Sequence, residues 1–133
     1  MRAALIVLRP VSYTHLDVYK RQHLLAPAAT TGLADSVARD VALAHAHGRL
    51  VRIDEVNTIS CGRVPAVGES FASALWVLQT LFAFARTGAD GVNIHTYPSS
   101  PYSLFQFHHH HGAWRAVVHP EYYGMLMLSL IHI

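Results

Sequence analysis

The sequence contains little cysteine and little charge, and it has no long apolar run. A single cysteine, Cys61, among 133 residues excludes an intrachain disulfide and a multi-cysteine metal site. Charged residues make up only 14% of the chain, and its ten Lys and Arg residues are scattered, which does not favour a nucleic-acid partner. No run approaches the roughly 18 apolar residues of a membrane-spanning helix, so we expect no membrane span.

Hydrophobic residues are plentiful at 52%, which indicates a globular chain with a core. Two hexapeptides nevertheless look foreign to it: residues 17–22 (DVYKRQ) and 128–133 (LSLIHI) resemble translations of the two complementary strands of a transposon end used to prepare sequencing libraries. We therefore expect residues 1–22 and 128–133 to be non-native adapter-derived tails. That leaves residues 23–127, a segment of 127 − 22 = 105 residues, as the interpretable domain. The alternative is a native strand and turn at the start and a native helix end or strand at the finish.

Apolar spacing within that segment predicts an α/β fold. Helices are predicted over residues 33–47 and 69–86 and from residue 121, and strands over 50–53, 91–95 and 114–118. Thr31 is a candidate N-cap, Gly48 and Gly88 follow helix ends, and residues 56–68 and 96–113 are predicted as loops. Alternating helices and strands indicate parallel βα units. Two parallel strands leave sheet edges unpaired, so we expect neighbouring strands to be missing and the segment not to fold stably alone.

Large aromatic side chains are expected in the core rather than as sugar-stacking platforms; they are Phe71, Trp76, Phe82 and Trp114. The run of four histidines at residues 108–111 is expected in a solvated loop. Adjacent side chains of an extended segment point in alternating directions, and no cysteine or carboxylate lies nearby in the sequence to complete a zinc site. We expect no metal and no cofactor.

Two carboxylates, Asp54 and Glu55, follow the predicted strand over residues 50–53. In βα architectures the loops after the carboxyl ends of the strands form the active face. Side-chain alternation then places Glu55 on one face and Arg52 and Asp54 on the other. Position alone is equally compatible with a solvated or ion-paired Glu55 of no catalytic importance.

A resemblance to a known family favours the catalytic interpretation of Glu55 over the solvated or ion-paired one. Residues 52–62 (RIDEVNTISCG), 69–76 (ESFASALW), 88–95 (GADGVNIH) and 120–127 (PEYYGMLM) resemble, in this order, the nucleophile region of glycoside hydrolase family 79. That family includes bacterial β-glucuronidases, which look closer, and heparanases. The resemblance implies a fragment of a (β/α)8 TIM barrel carrying about strands seven and eight with their helices. The interpretable segment is less than half of the ~250 residues of a whole barrel.

The resemblance further implies a retaining, double-displacement mechanism on β-glucuronides, with Glu55 as the nucleophile. The acid/base glutamate, which follows an asparagine in this family, would lie upstream of residue 23, and the chain contains no Asn-Glu pair. The fragment alone is therefore expected to be inactive, and a longer parent protein active.

Four residues that follow the predicted strand ends are candidates for binding the uronic-acid glycoside: Asn57, His95, Tyr97 and Tyr102. Loop residues that bond only to the backbone are the alternative for each of them. Two alternatives to the overall function remain, namely a retaining glycosidase of the same barrel clan with another sugar specificity and a non-catalytic carbohydrate-binding barrel. Oligomeric state and localisation stay open, including a secreted or periplasmic parent.

Overall fold

A computed structural model describes residues 4–6, 21–59 and 65–131. Its strands are β1 (Ala4–Ile6), β2 (Val51–Val56), β3 (Gly91–Ile94), β4 (Phe105–His110) and β5 (Ala113–Val118). Its helices are α1 (Arg21–Leu24), α2 (Thr31–Asp35), α3 (Ala38–Ala46), α4 (Pro65–Gly68), α5 (Phe71–Arg86) and α6 (Pro120–Ile131), with a 3₁₀ turn at Pro27–Ala29. Cys61 and part of the loop predicted over residues 56–68 lie outside the described residues, as do residues 17–20 of the first hexapeptide.

The chain is mixed α/β, as the sequence predicts. Strands β1, β2 and β3 form a parallel sheet in that order, and α5 connects β2 to β3 as the crossover helix that parallel pairing requires. Strand β1 lies within residues 1–22, the segment predicted to be adapter-derived, and pairs with β2. None of the described helices is long and apolar enough to cross a membrane.

The core lies between the sheet and its helices. Strand β2 contributes three buried side chains, while α3 and the segment before it contribute Val37 and Val41. The indole of Trp76, on α5, is buried and donates a hydrogen bond to the carbonyl of Ala29 at 2.9 Å. This bond satisfies the indole N–H inside the core and ties α5 to the 3₁₀ turn.

At the amino ends of β2 and β3, the carboxylate of Asp90 makes two hydrogen bonds that connect the sheet to α3. Asp90 accepts hydrogen bonds from the backbone N–H of Val51 and from Nε2 of His45, both at 2.8 Å. The His45 hydrogen bond and then the Val51 N–H hold the pKa of Asp90 below its usual value. These two hydrogen bonds connect α3 to the first residue of β2 and to the residue that precedes β3.

The helix predicted over residues 33–47 is wrong in its continuity. The structure divides it into α2 and α3, with Ser36 and Val37 between them. The hydroxyl of Ser36 donates to the carbonyl of Leu33 at 2.6 Å, a local bond that competes with regular helix geometry. The predicted end is confirmed, because Gly48 has φ +66°, the left-handed conformation that glycine adopts after a helix.

Two of the three aromatic side chains of α5 that were predicted in the core are not buried. Phe71 is 70% exposed and Phe82 is 41% exposed, whereas Trp76 is buried as predicted, together with Val77 and Phe84. The helix is apolar on nearly all sides, so periodicity does not identify the packed face. Close approach of α6 decides it instead: a Cβ on Gly124 would lie 2.3 Å from the carbonyl oxygen of Ala74, so the two helices nearly touch at backbone level there.

The loop predicted over residues 96–113 contains a strand, which corrects that prediction. Strands β4 and β5 pair antiparallel as a hairpin, and the strand predicted over residues 114–118 is confirmed as β5. The four histidines at residues 108–111 lie on β4 and its turn, all exposed. Trp114 is 72% exposed and stands 4.9 Å from the ring of His109, so its predicted core position is wrong. Trp114 lies opposite His109 near the tip of the hairpin, whereas the Phe105 ring, near the base of β4, contacts Tyr122 of α6 at 4.9 Å.

Candidate active site

A bulge in β2 determines where its two carboxylates point. The register between β2 and β3 shifts between Ile53 and Val56, so Asp54 and Glu55 together lie opposite a single residue of β3. Such an extra residue breaks the strict alternation of side chains and re-aims those that follow it. β2 itself continues through both carboxylates instead of ending before them, as the sequence had suggested.

The bulge places Glu55 on the face of the sheet that the helices leave uncovered. Strict alternation would put it on the side of Ile53, which is fully buried, yet the Glu55 side chain is 67% exposed. Arg52 is exposed as well, so the expectation that Arg52 and Glu55 occupy opposite faces is wrong. The carboxylate is thus accessible to a ligand at the carboxyl end of a parallel strand.

His95, directly after β3, approaches Glu55 across the gap between the two strands. Its Nδ1 lies 3.6 Å from Oε1 of Glu55, which is too long for a hydrogen bond but close enough for an ion pair when the imidazole is protonated. The backbone N–H of His95 donates to the carbonyl of Val56 at 3.0 Å, so the sheet pairing itself sets this approach.

Two tyrosines complete a cluster of three rings beside Glu55. The ring centroids of Tyr97 and Tyr102 each lie 5.8 Å from that of His95, and 6.0 Å from one another in a T-shaped arrangement. Burial, the Tyr97 hydroxyl and the negative charge of Glu55, in that order, raise the pKa of Tyr102. Tyr102 therefore keeps its proton at neutral pH and can donate a hydrogen bond.

The tyrosine cluster is positioned by an unusually close approach between two loops. A Cβ on Gly68, the last residue of α4, would lie 2.1 Å from the carbonyl oxygen of Pro101 and 3.2 Å from Cα of Tyr102. Only glycine permits this contact between the segment that follows β2 and the segment that follows β3. The Thr96 hydroxyl accepts a hydrogen bond from the N–H of Leu104 at 3.2 Å and closes the second loop.

Asn57 lies between the ends of the two strands. Its Nδ2 donates to the carbonyl of His95 at 2.6 Å, and its Oδ1 accepts hydrogen bonds from the N–H and the hydroxyl of Thr58. These bonds connect the strand that carries Glu55 to the residue that contacts it. The sequence-based prediction that Asn57 binds sugar stays a prediction.

Glu121 is the polar residue of this region that sequence reasoning underrated. Its position at the start of α6 predicts only a carboxylate that meets the helix dipole favourably, and the structure shows that its relative exposure is 0%. Burial raises its pKa to about 8, an effect partly offset by the side chain of Asn57. A usable signal was present: Glu121 and Gly124 share a helix face at a spacing of three residues, and both are buried.

Arg52 is a second residue that the sequence did not mark as a candidate for binding a ligand. Its Nη1 donates to Oδ1 of Asn93 at 2.9 Å, on the same uncovered face as Glu55. A Cβ on Gly91 would lie 2.7 Å from the guanidinium carbon, so glycine allows the cation to lie across β3. A positive charge is thereby held over β3 on the face of the sheet that also carries Glu55.

The described part of the chain contains no group of three or more His, Cys, Asp and Glu side chains arranged to hold a metal ion. The rings of His110 and His111 stand 4.0 Å apart at the tip of the hairpin. The structure thus brings Glu55 together with His95, Tyr97 and Tyr102, and puts Asn57 behind them as a bridge. Comparison with known proteins adds no identification: no protein-family model matches the chain, and no curated protein shows significant similarity to it.

Proposed function

We propose that the chain is part of a retaining glycoside hydrolase on a (β/α)8 barrel, and that Glu55 is the nucleophile that attacks the anomeric carbon of β-glucuronides. The observation that carries the proposal is the placement of Glu55: exposed, at the carboxyl end of a parallel strand, and beside a histidine and two tyrosines. Active sites of βα barrels lie at this end of the strands.

Parallel strands covered by helices on one face support the barrel. The uncovered face of β2 and β3 carries Arg52, Glu55 and Asn93, which are exposed, while the helix-covered face is apolar. In a closed barrel the uncovered face would line the interior and the mouth, where further strands surround it. We infer that these polar side chains face the substrate-binding mouth of the parent protein.

Double displacement assigns a definite step to Glu55. Its carboxylate forms a bond to the anomeric carbon as the bond to the leaving oxygen breaks, and water then hydrolyses the glycosyl-enzyme ester. The groups around Glu55 would contact the sugar. The Tyr97 and Tyr102 hydroxyls and the His95 imidazole can form hydrogen bonds to sugar hydroxyls or to the uronate carboxylate. The positive charge of Arg52 favours an anionic sugar on the same face.

A retaining enzyme needs a second carboxyl group about 5 to 5.5 Å from the nucleophile, as the acid and then the base. Asp54 is the neighbour of Glu55 on the same bulged strand, Glu69 is exposed on the turn before α5, and Glu121 is fully buried away from any substrate. None of these three is placed to protonate a leaving group opposite Glu55. We propose that the acid/base glutamate belongs to another part of the barrel.

An activated fluorosugar tests the nucleophile without that missing acid. 2-Deoxy-2-fluoro-β-D-glucuronyl fluoride carries a leaving group that needs no proton, so the attacking carboxylate and its sugar contacts suffice to trap the ester. Intact-mass measurement and peptide mapping should find one adduct, on Glu55. Glu55→Gln should abolish it, while the matched control Glu69→Gln should leave it unchanged.

Labelling that is absent from Glu55, or that persists in Glu55→Gln, contradicts the proposed role. The corresponding fluoroglucosyl and fluoroxylosyl fluorides test the sugar class. Faster labelling by either of them would favour a different retaining glycosidase. Binding of glucuronide without any adduct would favour a carbohydrate-binding barrel that has lost catalysis.

Upstream coding sequence offers an independent check. In the family that the chain resembles, the acid/base glutamate lies near the fourth barrel strand, and β2 would be the seventh. Three βα units then separate the two strands, so an Asn-Glu pair should occur roughly 100 or more residues before Glu55. A complete reading frame that lacks such a pair would contradict a retaining hydrolase of this kind.

A further inference from the structure

The buried carboxyl of Glu121 lies beside the site without a hydrogen-bond partner of its own. Among the described residues, both of its oxygens are fully buried and neither makes a hydrogen bond of normal geometry. Other described side chains that have a buried polar atom without such a bond are Thr80, Ser100, Ser103 and His119. Glu121 is the one with two such atoms, and an unsatisfied buried polar group lowers the stability of the fold.

Asn57 is the side chain that partly offsets the rise that burial causes in the pKa of Glu121. An amide side chain offers two N–H donors and one acceptor oxygen. One N–H of Asn57 donates to the carbonyl of His95, and the oxygen accepts from Thr58. The second N–H is the donor that remains for Glu121.

We propose that Glu121 is a positioning residue for the candidate active site: it accepts the second amide hydrogen of Asn57 and thereby fixes the end of β3 that presents His95 to Glu55. The line of contacts runs from the start of α6, through the Asn57 amide and the His95 carbonyl, to the imidazole 3.6 Å from the Glu55 carboxylate. The structure forms the contacts from Asn57 to His95 and from His95 to Glu55, and the hydrogen bond between Glu121 and Asn57 is the one that we propose.

Geometry favours positioning over direct chemistry. A side chain with 0% exposure does not reach a sugar, whereas the amide it holds joins the two strand ends that carry the site. Helix α6 is itself anchored by the close contact of Gly124 with the backbone of α5, so Glu121 stands on a rigid element. A rigid support behind a reacting group reduces the freedom that would otherwise slow the reaction.

The side-chain resonances of His95 in NMR spectra of the full chain give a readout that does not depend on the proposed function. Glu121→Gln keeps an acceptor oxygen and should leave the His95 ring and amide signals near their positions. Glu121→Met has similar volume without an acceptor oxygen and should shift them. Glu69→Met, at an exposed carboxylate, is the matched control and should leave them in place.

The kinetic readout rests on the proposed function. Loss of one hydrogen bond worth about 0.5–1.5 kcal/mol predicts that Glu121→Met slows fluoroglucuronide labelling of Glu55 by about twofold to tenfold, with Glu121→Gln close to the parent rate. In an Asn57→Ala background, Glu121→Met should cause no further loss, because the route runs through Asn57.

The two readouts separate the two proposals. If no variant is labelled but the His95 signals respond to Glu121→Met and not to Glu121→Gln, the positioning role stands and the hydrolase proposal fails. If labelling proceeds and neither the signals nor the rate respond to Glu121→Met, the positioning role is wrong. Equal effects of Gln and Met would also overturn it, since Gln retains the acceptor. Should Glu121→Met not fold, the Gln variant and the Asn57→Ala comparison decide on the same signals.

Discussion

Ionisation of Glu121 should make the folded chain less stable as the pH rises. Burial raises the pKa of this carboxyl from 4.5 to about 8, so the folded state holds a proton that the unfolded chain releases. The stabilisation is therefore complete below about pH 4.5, declines through neutral pH and is lost above about pH 8. At about 1.36 kcal/mol for each pKa unit, a difference of 8 − 4.5 = 3.5 units corresponds to about 5 kcal/mol across this window.

Urea unfolding between pH 5 and pH 9 measures the effect. Trp76 is 2% exposed and reports the core, while Trp114 is 72% exposed, so a Trp114→Phe background isolates the buried fluorophore. Between about pH 5 and pH 8 the free energy of unfolding should fall by about 3.5 kcal/mol more in this background than after Glu121→Gln, which removes the ionisation. Glu69→Gln should keep the full pH dependence. Identical pH profiles with and without Glu121→Gln would refute the buried, protonated carboxyl.

Three other substitutions test contacts elsewhere in the fold. Gly68→Ala puts a methyl group 2.1 Å from the Pro101 carbonyl oxygen, so it should lower the free energy of unfolding in urea by about 1–3 kcal/mol. It should also shift the NMR signals of Tyr102, and unchanged signals would disprove the close approach. Trp76→Phe removes the indole donor to a buried carbonyl and should cost about 1–3 kcal/mol in the same assay, and a cost near zero would mean that this bond is not made. Asp90→Ala should destabilise the chain at neutral pH and progressively less as the pH falls through the lowered pKa of this carboxyl, so a loss that is independent of pH would contradict its ionised role.

Much of the secondary structure could be predicted because it follows from local pattern. The long helix α5 and its end at Gly88, with φ +85°, agree with the predicted helix over residues 69–86 to within two residues at its start. Strand β3 and the extra strand β5 also agree closely. The alternation of helices and strands predicted that the strands over residues 50–53 and 91–95 are parallel, and the pairing of β2 with β3 confirms it.

Predictions failed where distant parts of the chain compete for the same surface. Phe71 and Phe82 have the spacing of a buried stripe, but the close contact made possible by Gly124 turns another face of α5 toward α6. Trp114 has the size of a core residue, but it lies near the tip of the hairpin with 72% of its surface exposed. Hydrophobic spacing describes which faces are apolar, and it does not say which of them meets a partner.

The sequence by itself determined the order of the helices and strands and the polar residues near the carboxyl ends of β2 and β3, because both are local properties. Glu55, His95 and Tyr97 could therefore be named as candidates before any coordinates were known. Only the tertiary structure decided where these side chains point. A bulge against β3 exposes Glu55, and packing of α6 buries Glu121 behind Asn57. Both outcomes depend on register and contact between segments far apart in the chain, which periodicity within a single segment does not encode.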